Sequence, residues 1–141
     1  SGESIVIEAA ILDGEGTVIA VEYNKNDRNA LEDNVEQFGL NNVTIIDHVD
    51  EESMKGLPVP DVTMLVASAT MEQEIECLLK LNPDMEFVIY TLDFKVAGAM
   101  PDIFEKFGLG VPKIIQIAVQ YWTRKGTFEH QPAPWIITRR F

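Results

Sequence analysis

Residues 17–46 read TVIAVEYNKNDRNALEDNVEQFGLNNVTII, and the order of patterns in this stretch decides the fold. Thr17–Glu22 (TVIAVE) is a short apolar run closed by an acid, as expected of a strand buried on both faces of a parallel sheet. Asn26 or Asp27 then caps a helix that places Leu31, Val35 and Phe38 on one face, and Gly39 stops it. Val43–Ile46 (VTII) is a second strand. Strand, helix and strand in so short a stretch make a parallel crossover unit.

The same alternation continues outward. Upstream, Ser4–Leu12 (SIVIEAAIL) reads as a short apolar helix, followed by a break at Gly14-Glu15-Gly16. Downstream, an acidic connection from Asp47 to Pro60 leads to a strand at Val62–Val66. Met71–Leu81 is a helix with Met71, Ile75, Leu78 and Leu79 on its apolar side, closed by Asn82-Pro83. Phe87–Tyr90 is a strand. Phe94–Phe107 is helical in pattern, and Gly98 and Pro101 predict a kink or restart near Ala99–Pro101. From Pro112 the period changes to two: Ile115, Ile117, Val119 and Tyr121 alternate with polar or small residues and predict one strand. Trp135–Thr138 (WIIT) is another, and the loop Thr123–Pro134 is too short to hold a crossover helix, so this last pair is antiparallel. The expectation is one α/β domain over residues 1–141, its sheet mostly parallel with an antiparallel C-terminal edge pair. Such a sheet normally begins with a strand whose turn feeds the first helix. Ser1-Gly2 reads as the tail of that turn, so the first strand is expected to be missing from the chain.

Composition narrows the function. The 141 residues carry 11 basic and 23 acidic side chains, a net charge of −12, with 46% apolar residues. That is too apolar for disorder, and no apolar run approaches the ~18 residues of a membrane-spanning helix. A single cysteine, Cys77, closes no internal disulfide and points to a reducing compartment such as the cytoplasm. The acid is concentrated in the body, because Lys113–Phe141 holds five basic residues against Glu129 alone. A body so acidic repels phosphate backbones and disfavours nucleic-acid partners. The basic C-terminal stretch remains a candidate local anion site.

In open parallel sheets ligands sit beyond the carboxyl ends of the strands. The candidates are therefore Glu22-Tyr23-Asn24, Asp47–Asp50, Ala67–Thr70 and Thr91-Leu92-Asp93. Glu22 is the sharpest, since an acid closing the second strand is placed to accept hydrogen bonds from ribose hydroxyls. Ser1-Gly2 is placed to cradle a carboxylate or phosphate at the first helix's N-terminus. His48 and His130 have no partner at metal-ligand spacing, so no metal is expected. Cys77 sits beside Leu78 in a helix and reads as packing. Neither Gly-x-Ser-x-Gly nor Gly-x-x-x-x-Gly-Lys-Ser/Thr occurs, which disfavours an esterase and a P-loop ATPase.

Four stretches carry a family resemblance in order. Ser1–Ala10 (SGESIVIEAA) resembles the "SG-S-V-S-I-E-A-A" of the precorrin-6Y C5,15-methyltransferase (decarboxylating) family, which includes the stand-alone cobalt-precorrin-6B C15-methyltransferases. Thr17–Asn24 is similar to its "V-Y-A-I-E-x-N", and Asn34–Val43 to its "N-x-x-R-F-G-V-x-N-V". Gln116–Thr138, with Gly126, Phe128 and PAPWIIT, resembles its closing "Q-x-x-V…G…F…N-P-V-W-I-I-T". The resemblance implies a Rossmann-like class I S-adenosylmethionine methyltransferase of cobalamin biosynthesis, acting on an anionic precorrin and usually a homo-oligomer. It implies cofactor contacts at Ser1, Gly2, Glu22, Tyr23, Asp50 and Ala67, and substrate contacts at Ser68 and Thr91. Arg124 and Lys125, in the loop between the last strands, are expected to help attract the substrate's carboxylates. Where the family has "G-G-S-G-G", this chain has Val66-Ala67-Ser68-Ala69-Thr70, whose side chains narrow the approach. A degenerate, non-catalytic binding or assembly domain of the same fold is the alternative. A nicotinamide-dependent oxidoreductase fits Glu22 but not the antiparallel final pair.

Overall fold

The computed structural model describes residues 16–118, 120–130 and 132–139. Ser1, Gly2 and the helix expected over Ser4–Leu12 lie outside the described residues. Every residue of β1 (Val18–Val21) is buried, as a run of β-branched and small apolar side chains in a doubly covered sheet should be. It pairs in parallel with β2 (Val43–Ile46) on one side and β3 (Val62–Val66) on the other, so that Val21 stands level with Ile46 and Leu65. β4 (Glu86–Thr91) runs parallel to β3, with Val66 beside Tyr90. β8 (Trp135–Arg139) is antiparallel to β4 and to the edge strand β5 (Lys113–Gln116), giving the order β2-β1-β3-β4-β8-β5. The expected parallel sheet with an antiparallel C-terminal edge pair is thus found.

Side-chain alternation assigns each strand residue to one of two cores. Ile19, Val21, Leu65, Phe87 and Ile89 face α2 (Met71–Leu81) and α3 (Phe94–Lys106), where Ile75, Leu78, Met100 and Phe104 are fully buried. Val18, Ala20, Val62, Met64 and Val88 face the other way, toward Leu31 of α1 (Lys25–Gln37).

The cap of α1 lies at Asn24, not at Asn26 or Asp27. Asn24 has extended backbone, and its Oδ1 accepts the N–H groups of Asn26 and Asp27 at 2.9 and 3.1 Å. The far end is a Schellman turn: Gly39 at φ +65° donates to Glu36 O, and Leu40 donates to Val35 O. Starting earlier, the helix also ends earlier. Phe38 becomes its last cap and stands 59% exposed instead of completing the apolar face. Asn24→Ala should cost about 1 kcal/mol of stability, read as a lower urea midpoint with an unchanged slope.

Two further expectations are corrected. The helix does not restart at Ala99–Pro101: α3 runs on as one helix, because Ala97, Met100 and Phe104 hold both halves on the sheet while Gly98 and Pro101 face solvent. The missing proline N–H therefore costs a bond on the exposed side only. The alternation from Ile115 to Tyr121 is two strands, not one. β5 ends at Gln116, and β6 (Gln120–Trp122) forms a separate hairpin with β7 (Phe128–His130), of which β7 lies inside the stretch expected as loop. Pro132 and Pro134 explain the division, since proline has no N–H to extend the β5·β8 ladder toward the hairpin. The hairpin turn is tied by Thr123 N–H to Thr127 O at 2.8 Å, with Gly126 at φ +77°.

Candidate functional site

From β1 the chain passes through α1 to β2 on one side, and from β3 through α2 to β4 on the other. The carboxyl ends of β1 and β3 are thus where the connections part, the place where open α/β sheets bind ligands. The ladder carries one residue past each strand there: Glu22 N–H donates to Ile46 O at 3.0 Å, and Ala67 N–H to Tyr90 O at 2.9 Å. Glu22 and Ala67 are therefore fixed at the rim by backbone bonds.

Glu22 is half-buried, and its Oε1 accepts Asn24 N–H at 3.0 Å. Arg28, from α1, does not pair with this carboxylate. Its Nη1 donates to the Glu22 and Tyr23 carbonyl oxygens at 3.1 and 3.5 Å, so the guanidinium fixes the backbone that carries the acid. Behind the rim, burial and then the charges of Asp27 and Glu22 push the Tyr90 hydroxyl above its ordinary pKa, keeping it a proton donor at neutral pH.

Across the crevice a second polar group gathers. The Tyr23 hydroxyl lies 3.5 Å from Thr70 Oγ1, and Ser68 Oγ lies 3.2 Å from the same atom. Thr70 and Ser68 both donate to Glu74 Oε1, at 3.1 and 3.2 Å. Glu74 belongs to the first turn of α2, is 2% exposed, and has no hydrogen-bond partner for Oε2 among the described residues. Burial, then the nearby Glu74 carboxylate, raises the Tyr23 pKa. The structure thus brings Glu22, Tyr23, Ala67 and Ser68 to one crevice. It also draws in Thr70, from the candidate stretch Ala67–Thr70, and adds Glu74, which the sequence reading did not single out. A signal for Glu74 was there: positions 71, 74, 75 and 78 form the buried stripe of α2, and an acid on such a stripe needs a reason.

The remaining candidates are placed elsewhere or otherwise engaged. Thr91 is buried at the end of β4, and its Oγ1 accepts Asp93 N–H at 3.0 Å. Asp50 serves its own loop, with Oδ1 accepting Ser53 N–H at 2.6 Å and Oδ2 lying 3.0 Å from His48 Nε2. Its neighbour Val49 is buried in the core. Arg124 and Lys125 occupy the turn of the β6–β7 hairpin, which pairs with itself and not with the main sheet. Cys77 is half-buried and packed against the core, and burial raises its thiol pKa. Among the described residues, no group of three or more His, Cys, Asp or Glu side chains is placed to hold a metal ion. A cavity of about 460 Å³, lined by Val111, Lys113, Thr138 and Arg139, lies toward the opposite end of the sheet, where Arg139 pairs with Phe87.

His48 is held between two carboxylates, 2.7 Å from Asp47 Oδ1 on one side and 3.0 Å from Asp50 on the other. The Asp47 hydrogen bond is the main cause of a raised His48 pKa, and it lowers that of Asp47 in return. Asp50 is lowered chiefly by the Ser53 N–H. The histidine's contribution is complete below its unfolded value of about 6.5 and fades as pH rises through the higher folded value. The two aspartates contribute above their unfolded value of about 3.9 and lose that as pH falls. NMR titration of the His48 ring should give a midpoint above that of a free histidine, brought down by Asp47→Asn. An unshifted midpoint would remove the clamp.

The model of the precorrin methyltransferase domain matches residues 1–138. No curated protein matches the chain. Precorrin-6y C5,15-methyltransferase from Geobacter metallireducens is 23% identical, over 99% of this chain and 74% of that one, with a TM-score of 0.74. Precorrin 8W decarboxylase from Methanobacterium thermoautotrophicum is 19% identical, over 94% and 75%, with a TM-score of 0.66. At these identities the two structures show a common fold. S-adenosylmethionine, the cofactor that goes with it, has a ribose diol and a net positive charge. The rim fits both, with an oriented carboxylate at Glu22 and an orphaned buried carboxylate oxygen at Glu74. The chain belongs to the precorrin methyltransferase domain family, with the Rossmann-like fold of S-adenosylmethionine-dependent methyltransferases.

Proposed function

We propose that the chain methylates a ring carbon of an anionic precorrin and removes carbon dioxide from one of its acetate arms. The observation that supports this most is Glu22, an acid held by a backbone bond at the point where the sheet's connections part. S-adenosylmethionine, held at its diol by Glu22, would supply an electrophilic methyl group on a sulfonium, the carbon–sulfur electron pair staying on sulfur and the methylated ring carbon giving up a proton. In the decarboxylation the bond to the carboxyl carbon breaks, carbon dioxide leaves, and the remaining carbon takes up a proton. Such chemistry asks the protein mainly for orientation. Glu22 grips the diol, the Asn24 N–H keeps its carboxylate in one orientation, and Arg28 fixes the backbone that carries it. Ser68, at the rim, is the residue left to meet the substrate.

An acidic protein repels a polycarboxylate, so local cations must offset the charge. Arg124 and Lys125 are exposed at the hairpin turn and serve this role. Reversing both charges should weaken precorrin binding about tenfold at low salt and less at high salt, while unchanged binding would remove them from the site. The hairpin also exposes Tyr121, Trp122 and Phe128 at 58%, 66% and 61%, a surface suited to a homo-oligomer contact. Among the described residues no helix is long and apolar enough to cross a membrane. We place the activity in the cytoplasm, with neither nucleic acid nor membrane as a partner.

A non-catalytic assembly domain is the second reading, and the Tyr23–Thr70 contact across the crevice favours it. Incubation with S-adenosylmethionine and a precorrin, followed by mass spectrometry, separates the two. A product that has gained a methyl group and lost carbon dioxide supports the enzyme. Unaltered precorrin supports the assembly domain.

A further inference from the structure

Glu74 is costly where it stands. Its neighbours on the buried stripe of α2 are Met71, Ile75 and Leu78, and a leucine would continue that stripe without a charge to desolvate. The fold instead buries a carboxylate to 2% exposure, satisfies Oε1 with Ser68 and Thr70, and gives Oε2 no hydrogen-bond partner among the described residues. A buried acceptor in that condition is matched to a donor that arrives from outside. On the crevice side the described neighbours of the carboxylate are the hydroxyls of Ser68 and Thr70, with that of Tyr23 beyond them. Tyr23, next in sequence to Glu22, spans the interval, and its 3.5 Å contact with Thr70 is exposed and at the long limit of a hydrogen bond.

We propose that Glu74 receives the α-ammonium group at the amino-acid end of S-adenosylmethionine when the Tyr23–Thr70 contact parts. Glu22 and Glu74 then hold the two ends of one ligand, the diol on the first and the cation on the second. This rests on the functional reading above. The charge distribution agrees with it at the other end: Arg28, beside Glu22, is spent on backbone oxygens. Loss of the sulfonium charge on methyl transfer also weakens the hold of two carboxylates, which helps the product leave.

Two probes test this by calorimetric titration. S-adenosylhomocysteine carries the ammonium; 5′-methylthioadenosine keeps the nucleoside and lacks the amino-acid end. Glu74→Gln, which preserves shape and removes charge, should weaken the first by about 10- to 100-fold, the loss of a charge-assisted hydrogen bond, and leave the second within about twofold. Equal weakening of both probes, or of neither, overturns the assignment. Wild-type protein that binds neither probe overturns the functional reading as well, and so is distinct from failure of Glu74 alone. Should Glu74→Gln fail to fold, Tyr23→Phe serves: it removes the bridging hydroxyl and keeps the carboxylate, and should tighten S-adenosylhomocysteine. Unchanged or weaker binding by that variant contradicts the proposal.

Discussion

Replacing Glu22 with glutamine is expected to weaken S-adenosylhomocysteine binding by about 100-fold, or about 3 kcal/mol, while leaving the urea midpoint of unfolding within a few tenths of a molar. Two diol hydroxyls donate to a carboxylate with a hydrogen bond each, and bonds to a charged acceptor are roughly twice as strong as neutral ones. The amide keeps one acceptor, enough for the Asn24 N–H that Oε1 takes at 3.0 Å. It presents an NH2 group where the second oxygen stood, so one ribose hydroxyl meets a donor. Stability is spared because Glu22 makes no ion pair among the described residues, and its strand is held by backbone bonds and buried apolar neighbours. Calorimetric titration and urea unfolding on the same preparation check both halves. An affinity within threefold of wild type would take Glu22 out of the site.

The second large effect is on folding. Phe104→Ala should lower stability by about 3–5 kcal/mol, the usual cost of emptying a buried aromatic position. Phe104 is 0% exposed in the core beneath α3 and shares it with Phe87, Met100 and Ile137. Its carbonyl accepts Leu109 N–H at 2.9 Å, closing the Schellman turn that ends α3. That backbone bond survives the substitution while the packing that positions it does not. Domains of this size are stable by only about 5–15 kcal/mol, so the variant should be partly unfolded at moderate urea concentrations where the parent is intact. A loss below about 1 kcal/mol would mean that α3 is not held by this core.

What could be read from the residues was what local chemistry decides. Val43–Ile46, Val62–Val66 and Met71–Leu81 have the observed bounds, because each is an apolar pattern bracketed by a break the chain cannot cross. The place of Glu22 at the rim was legible because it follows a strand, which sequence order supplies. The misses share a different cause. Phe38 fits the apolar period of α1, yet the cap at Asn24 and the turn at Gly39 set the helix length first. Pro101 forbids one hydrogen bond and predicts a break, yet the buried face of α3 outweighs it. The alternation from Ile115 to Tyr121 is one period, but its halves have different partners, and partner choice is tertiary. Glu74 went unread because its meaning lies in Tyr23, Ser68 and Thr70, which only the sheet brings to it.

The central claim is that the nucleoside binds where the ends of β1 and β3 diverge. A crystal structure of the protein with S-adenosylhomocysteine tests it most directly. The account predicts both ribose hydroxyls on the Glu22 carboxylate and the amino-acid end turned toward Glu74. Nucleoside density in the cavity beside Lys113 and Arg139, with the crevice still bridged by Tyr23 and Thr70, would contradict it.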